Sequence, residues 1–283
     1  MALLCYLGAG NTHESGKYQE QVAKAIEFLK VQFDAAEEVG DMRQTNRGNA
    51  GMYTQGLVTI ALCELHGMTR DRYIGKAAQK CVDYIMRTQN PQEGGWRYVP
   101  NADVGDTSVV GWQVMALTSA RMARLRTSPK SFELARRFLN SVQMNNGAYY
   151  GYTGPEKKAS TTAIGLLCRM YTGWGREQEP MRVGVSYLSS IGPSRDNAYY
   201  NYYATQVLHH WGGSAWQDWN AVMRPQLVKS QIQQGHAAGS WNPRDPHSNR
   251  GGRLYETCLN ILTLEVYYRH LPIYQRRSVD VEF

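Results

Sequence analysis

Three segments of this chain repeat one another at a nearly constant interval. Gly56-Leu57-Val58-Thr59-Ile60-Ala61-Leu62, Gly111-Trp112-Gln113-Val114-Met115-Ala116-Leu117 and Gly165-Leu166-Leu167-Cys168 each place a glycine at the head of an apolar run. The glycines stand 55 residues apart (56 to 111) and then 54 apart (111 to 165). A period of this size marks supersecondary units that bury their apolar faces against one another. A fourth copy, Ala204-Thr205-Gln206-Val207-Leu208, follows after 39 residues, and a fifth, Cys258-Leu259-Asn260-Ile261-Leu262-Thr263-Leu264, after a further 54. Ala2-Leu3-Leu4 matches Ala61-Leu62 and reads as a truncated sixth. The expectation is therefore one domain over 1–283, cut from a larger protein with its first inner helix shortened.

Each copy is apolar nearly all round, which suits a helix buried on several sides. The small residue in its first turn lets a neighbouring backbone come close. A more charged, amphipathic helix follows each copy, at about 17–33, 71–89, 130–143, 178–190 and 214–233. In the second of these, Ala77, Cys81, Tyr84 and Ile85 recur at helical spacing, with Lys76, Lys80 and Arg87 interspersed. The fold class expected is all-α: five to six helical hairpins whose inner helices alternate with half-exposed outer ones, curved into an α/α toroid with a cavity at its mouth.

The link from each outer helix to the next inner one has its own signature. Gln89 leads to Gly94-Gly95-Trp96, Gln143 to Gly147-Ala148-Tyr149, and Gln231 to Gly239-Ser240-Trp241. A glutamine there can bond backbone groups left unpaired at the helix end, while the glycine turns the chain and the ring covers the turn. On these residues the chain resembles the prenyltransferase and squalene oxidase repeat, with its glutamine–tryptophan motif, as found in triterpene cyclases and protein prenyltransferase β-subunits. Phe138-Leu139, Gln143, Gly147 and Tyr149 keep that spacing with Tyr for Trp; Tyr84-Ile85, Gln89, Gly95 and Trp96 match with one extra residue. The Gln231 copy carries a longer insertion, and the 178–190 hairpin lacks the motif. The resemblance implies an α/α toroid. It says less about chemistry, because such rings host several functions.

Bulk properties narrow the choices. No stretch reaches the roughly 20 apolar residues of a membrane span, so no transmembrane segment is expected, and the N-terminus has no basic region ahead of its apolar run, so it is not a signal peptide. Net charge is +7, much of it from Arg121, Arg124, Arg126, Lys130, Arg136 and Arg137, set against Glu133 alone. This cluster reads as a solvated helix face or as a surface for an anionic partner. No nucleic-acid motif accompanies it, and no nucleic acid is expected. The five cysteines form no C-x-x-C pair and read as buried free thiols.

The sharpest local feature is Asp103-Val104-Gly105-Asp106-Thr107-Ser108, just ahead of the second inner copy. Class II terpene cyclases carry an Asp-x-Asp-Asp-Thr segment there, whose middle aspartate protonates an alkene. Laid over that motif, Asp103 and Asp106 fall on the flanking acids and Gly105 on the proton donor. Glycine has no proton to give, so the usual cyclase step is missing unless Asp103 or Asp106 supplies it. Asp106 before Thr107 and Ser108 is also an N-cap signature.

Glu256-Thr257-Cys258 is the nearest approach to the zinc ligands of prenyltransferases. Cys258 occupies the repeat position of Gly56 and Gly111, which marks it as a small packing residue. His209 and His210 point about 100° apart on a helix and do not share one metal. No metal or other cofactor is expected. Tyrosines cluster at inner-helix starts: Tyr53, Tyr199, Tyr200, Tyr202, Tyr203 and Tyr255, with Trp112 one turn in. Together with Asp106 and Glu256 they are the candidate cavity lining, suited to an apolar or amphipathic small molecule or a peptide. Three functions follow as expectations: a toroid binding such a ligand without the cyclase reaction, an isoprenoid cyclase using Asp103 or Asp106, or an interaction module of a larger protein.

Overall fold

The apolar runs and their charged partners become helices in strict alternation. The computed structural model describes residues 1–43 and 51–267 (backbone only at 247); 44–50 and 268–283 lie outside the described residues. The helices are α1 (Ala2–Gly8), α2 (Gln19–Asp34), α3 (Gly51–Thr69), α4 (Arg72–Arg87), α5 (Thr107–Met122), α6 (Pro129–Ser141), α7 (Ala159–Tyr171), α8 (Glu179–Ile191), α9 (Ala198–Trp211), α10 (Gly213–Ser230) and α11 (Pro246–Leu264). The protein is all-α. Among the described residues the only strands are a two-residue antiparallel pair, with Gln143 opposite Tyr150 and Met144 opposite Tyr149. No described helix is long and apolar enough to cross a membrane.

The odd-numbered helices are the apolar copies, and burial separates them from the even ones. In α5, 14 of 16 residues are buried, whereas α2 buries Val22 alone. Each odd helix packs on the next, from α1 through α3, α5, α7 and α9 to α11, and α11 packs in turn on α1. Every even helix packs against the odd helix before it. Adjacent odd helices α3 and α5 run parallel: their starts meet where Tyr53 Oη bonds Ser108 Oγ at 2.5 Å, and their ends meet where Arg70 Nη1 donates to Ala123 O at 3.2 Å.

The small residue at the head of each copy does let a neighbour close in, but the neighbour is a side chain rather than the backbone the sequence suggested. A Cβ on Gly56 would lie 3.0 Å from the Trp112 Cβ, and one on Gly111 would lie 2.5 Å from Ile164 Cγ2. At Gly165 the ring of Tyr150 occupies the space. Each of the first two glycines thus receives a residue of the following odd helix.

The glutamine–glycine–aromatic links make the same bonds twice. Gln89 Nε2 donates to Gly94 O at 2.8 Å and to Ser131 O at 3.0 Å, and Trp96 Nε1 donates to Ile85 O at 2.8 Å. Gln231 Nε2 donates to Gly239 O and Trp241 Nε1 to Leu227 O, both at 2.9 Å. In each case the tryptophan reaches the carbonyl four residues before the glutamine, although the second link is three residues longer. Bonds to a buried indole N–H and to carbonyls at a helix end remove polar groups that would be costly to leave unpaired. The middle link differs. Tyr149, which holds the motif spacing, is half-buried against Tyr187, and it is Tyr150 that is fully buried, its hydroxyl accepting from Arg169 Nε at 2.9 Å. The five cysteines are buried free thiols. Cys258 lies against α1, where Cys5 Sγ donates to Cys258 O at 3.6 Å.

Candidate functional site

Hydrogen bonds between successive loops gather the starts of several odd helices. Met52 N donates to Tyr98 O, Asp106 N to Trp96 O, and Thr107 N to Tyr152 O. Thr107 Oγ1 adds a bond of 2.6 Å to Gly151 O. The chain at 96–98 and 151–152 is thereby laid beside the first turns of α3 and α5. Asp106 sits at the centre of this region and is 0 % exposed.

Asp106 is the N-cap of α5. Its Oδ1 accepts from Val109 N at 2.9 Å and from Ser108 Oγ at 2.6 Å. Its Oδ2 is buried with no hydrogen-bond partner among the described residues. Burial raises the carboxyl above its ordinary value; the bonds from Ser108 and Val109, the neighbouring Tyr152 hydroxyl and the charge of Arg97 pull the other way. Tyr53, Tyr98 and Tyr152 surround it, with Tyr98 and Tyr152 joined hydroxyl to hydroxyl. Burial raises the Tyr53 and Tyr152 phenols as well, and the nearby Asp106 adds to the shift. The Tyr53 and Tyr152 phenols therefore stay protonated and able to donate.

On the far side, α9 contributes Tyr199, which lies close enough to Tyr53, Tyr255 and Asp106 for each to raise its phenol further, after the larger effect of burial. The hydroxyls of Tyr199 and Tyr203 and the Nε of Arg97 are also buried without a full hydrogen bond. Below this polar layer the rings close up. Trp112 stacks on Tyr202 (centroids 5.6 Å, planes 15° apart) and meets Tyr203 edge-on at 5.6 Å. Trp112 reaches from α5 past α7 to α9, so these rings fill the interior between them.

Of the residues read from the sequence, the fold therefore gathers Tyr53, Asp106, Trp112, Tyr199, Tyr202, Tyr203 and Tyr255. It does not gather the other three. Asp103 is exposed on the loop ahead of α5. Tyr200 turns outward, its ring edge-on to Trp219 of α10 and its hydroxyl on Gly192 O. Glu256 lines a separate cleft between α9, α10 and α11, with Asn201, Gln226, Arg195 and Arg244, whose enclosed part has room for about one water. Gly105, at the position of the cyclase donor, faces away from Asp106: a Cβ there would stand 2.9 Å from both Gly95 Cα and Phe138 Cε2.

Arg97, Tyr98 and Tyr152 were missed by sequence reasoning, yet the period could have found the tyrosines. Tyr98 and Tyr152 are 54 residues apart and Tyr53 and Ser108 are 55 apart, so residues one repeat apart face each other across neighbouring hairpins. Among the described residues no three His, Cys, Asp or Glu side chains come together as metal ligands would.

Asp106 permits a test with a defined sign. The folded chain holds the Asp106 proton more tightly than the unfolded chain does. Ionisation of Asp106 therefore opposes folding, and the penalty grows as pH rises from the unfolded value toward the raised folded one. Asp106→Asn keeps a capping oxygen and removes the charge. It should be at least as stable as the wild type at pH 8 and flatten the stability–pH curve on the acid side. Asp106→Ala should lose about 1 kcal/mol with the cap. Urea denaturation at pH 5 and pH 8 reads both.

Comparison with protein-family models gives no match, and comparison with curated proteins gives none either.

Proposed function

We propose that the chain is a diverged α/α toroid of the prenyltransferase and squalene oxidase kind, and that it binds an amphipathic ligand at the mouth formed by its inner-helix starts. The neighbour order α1–α3–α5–α7–α9–α11–α1, with the even helices outside, supports the toroid. The glutamine and tryptophan bonds shared by the 89–96 and 231–241 links support the family. The observation that carries the binding role is the convergence of buried polar atoms without a full hydrogen bond, Asp106 Oδ2, Arg97 Nε and the Tyr199 hydroxyl, onto a region walled by tyrosine rings. Such atoms are costly unless something supplies their partners. A ligand with a hydroxyl or other polar end and an apolar body would satisfy them and lie against the rings.

A cyclase reading draws on Asp106 alone, a buried carboxyl with raised proton affinity among aromatic rings. The packing of Trp112 on Tyr202 and Tyr203 weighs against it, because that interior is already filled. Incubation with squalene tests it: without a cyclised product that Asp106→Asn abolishes, the cyclase reading fails. For the binding role, calorimetry should compare a prenyl alcohol with the hydrocarbon of the same length. The alcohol should bind at least about tenfold more tightly, the worth of one or two hydrogen bonds, and Tyr53→Phe should narrow that gap. Absence of saturable binding by the alcohol would refute the role.

A further inference from the structure

Two arginines occupy a backbone position that glycine holds elsewhere in this fold. Where α1 and α7 end, the residue with positive φ just past the helix is Gly10 (φ 83) or Gly173 (φ 105). Where α3 and α5 end it is Arg70 (φ 59) and Arg124 (φ 62). A side chain in this conformation crowds its own backbone, and glycine avoids that cost. The Arg70 side chain has a structural use, its bond to Ala123 O, but the Arg124 side chain makes no bond among the described residues, so the strain kept there points to another use. Offsetting the helix dipole does not explain it, since a cation anywhere in the last turn does that without strain.

The two turns are held side by side. Besides the bond from Arg70 to Ala123 O, Gln79 of α4 clasps the second turn, accepting from Arg126 N at 2.8 Å and donating to Arg126 O at 3.0 Å. Arg70, Arg72, Lys76, Arg124, Arg126 and Lys130 are all exposed there, and none forms an ion pair among the described residues. The acid between them, Asp71, is already committed to Ile74 N and His13. The run of charge from Arg121 to Arg137 is thus not one surface: Arg137 lies at the other end of α6, bonded to Gln92 O, and the first hairpin supplies its replacements.

We propose that these paired turns, α3–α4 and α5–α6, are a docking surface for an acidic polypeptide segment. The charge selects an anion, and exposed guanidiniums suit carboxylates. The surface lacks what other polyanions would use. The one exposed aromatic ring in these turns, Tyr73, already has Lys30 Nζ over its face at 5.3 Å and its hydroxyl on Asp34 of α2, so the surface offers no row of free rings on which bases would stack. Among the large apolar side chains exposed on the protein, Tyr73 is also the only one from these turns, which leaves nothing to enter a bilayer.

Fluorescence anisotropy with a labelled oligoglutamate peptide on the full chain tests this, with single-stranded oligothymidylate and phosphatidylserine vesicles as the other arms. The peptide should bind, and more weakly as salt rises from about 50 mM to about 300 mM. The triple variant Arg72→Gln, Arg124→Gly, Arg126→Gln should bind at least about tenfold more weakly. Arg124→Gly alone should melt no lower than the wild type. Failure of the peptide to bind, or equal binding by the triple variant, overturns the proposal. So does tighter binding of oligothymidylate or vesicles, which reassigns the surface. A drop in melting temperature for Arg124→Gly would make that arginine structural and remove the argument from strain. None of these outcomes bears on binding at the tyrosine-lined mouth.

Discussion

Trp112→Ala should lower the free energy of unfolding by about 3–5 kcal/mol, read as a fall in the urea midpoint with an unchanged slope. Trp112 is 2 % exposed and touches three tyrosines of α9, while its own Cβ stands against Gly56 of α3. It therefore ties α3, α5 and α9 together, and α3 and α9 have few ways to adjust once it is gone. The void would be lined by aromatic and aliphatic groups, and an apolar void of that kind stays dry and accepts apolar guests. Added indole should consequently recover part of the lost stability in Trp112→Ala and none in the wild type. Trp174→Ala is the control. That ring is half-buried beneath the Arg169 guanidinium at 4.6 Å, and its loss should cost far less. If Trp112→Ala cost under about 1 kcal/mol, the ring would be dispensable packing, and the interior would have room for a long apolar ligand.

The same residue shows which parts of the fold could be read before any coordinates. The glycine-headed apolar runs gave away the inner helices because burial on every side leaves no polar face, and a period of 54–55 residues is hard to produce otherwise. The outer helices began and ended within a few residues of the amphipathic stretches, and Asp106, read as a cap, does bond the first turn of its helix. What lay beyond reach was direction. Tyr200 and Tyr202 are two residues apart on α9, and one faces outward to Trp219 while the other stacks on Trp112; a helix nearly uniform in polarity offers no moment from which to tell them apart. The choice of Tyr150 over Tyr149 as the buried ring was hidden for a related reason. The strand pair at 143–144 and 149–150 alternates sides, and its register depends on the turn between them. Asp106 was legible as a cap and only half legible as a site. Its second oxygen acquires meaning from Tyr98 and Tyr152, which lie on irregular loops and have no helical pattern to announce them.

The largest effect at a single backbone position is expected at Gly94. Gly94→Ala should cost at least about 3 kcal/mol, from backbone strain and overpacking together. Gly94 has φ +94 and turns the chain between Gln89 and Trp96, and an added Cβ would drive into the carbonyl of Leu134 on α6. That carbonyl belongs to the next outer helix, which cannot retreat without pulling Phe138 from Gly95 and Gly105, and Ser131 from the Gln89 amide. Gly239 separates the two contributions. It occupies the same place in the 231–241 link, with φ +84 and with its carbonyl bonded by Gln231, but nothing lies within 4 Å of where its Cβ would stand. Gly239→Ala should therefore show the conformational cost alone, about 1–2 kcal/mol. The difference between the two midpoints measures how tightly one hairpin is seated on the next. Equal losses would mean that the links are merely turns, and that the hairpins are held together by their inner helices alone.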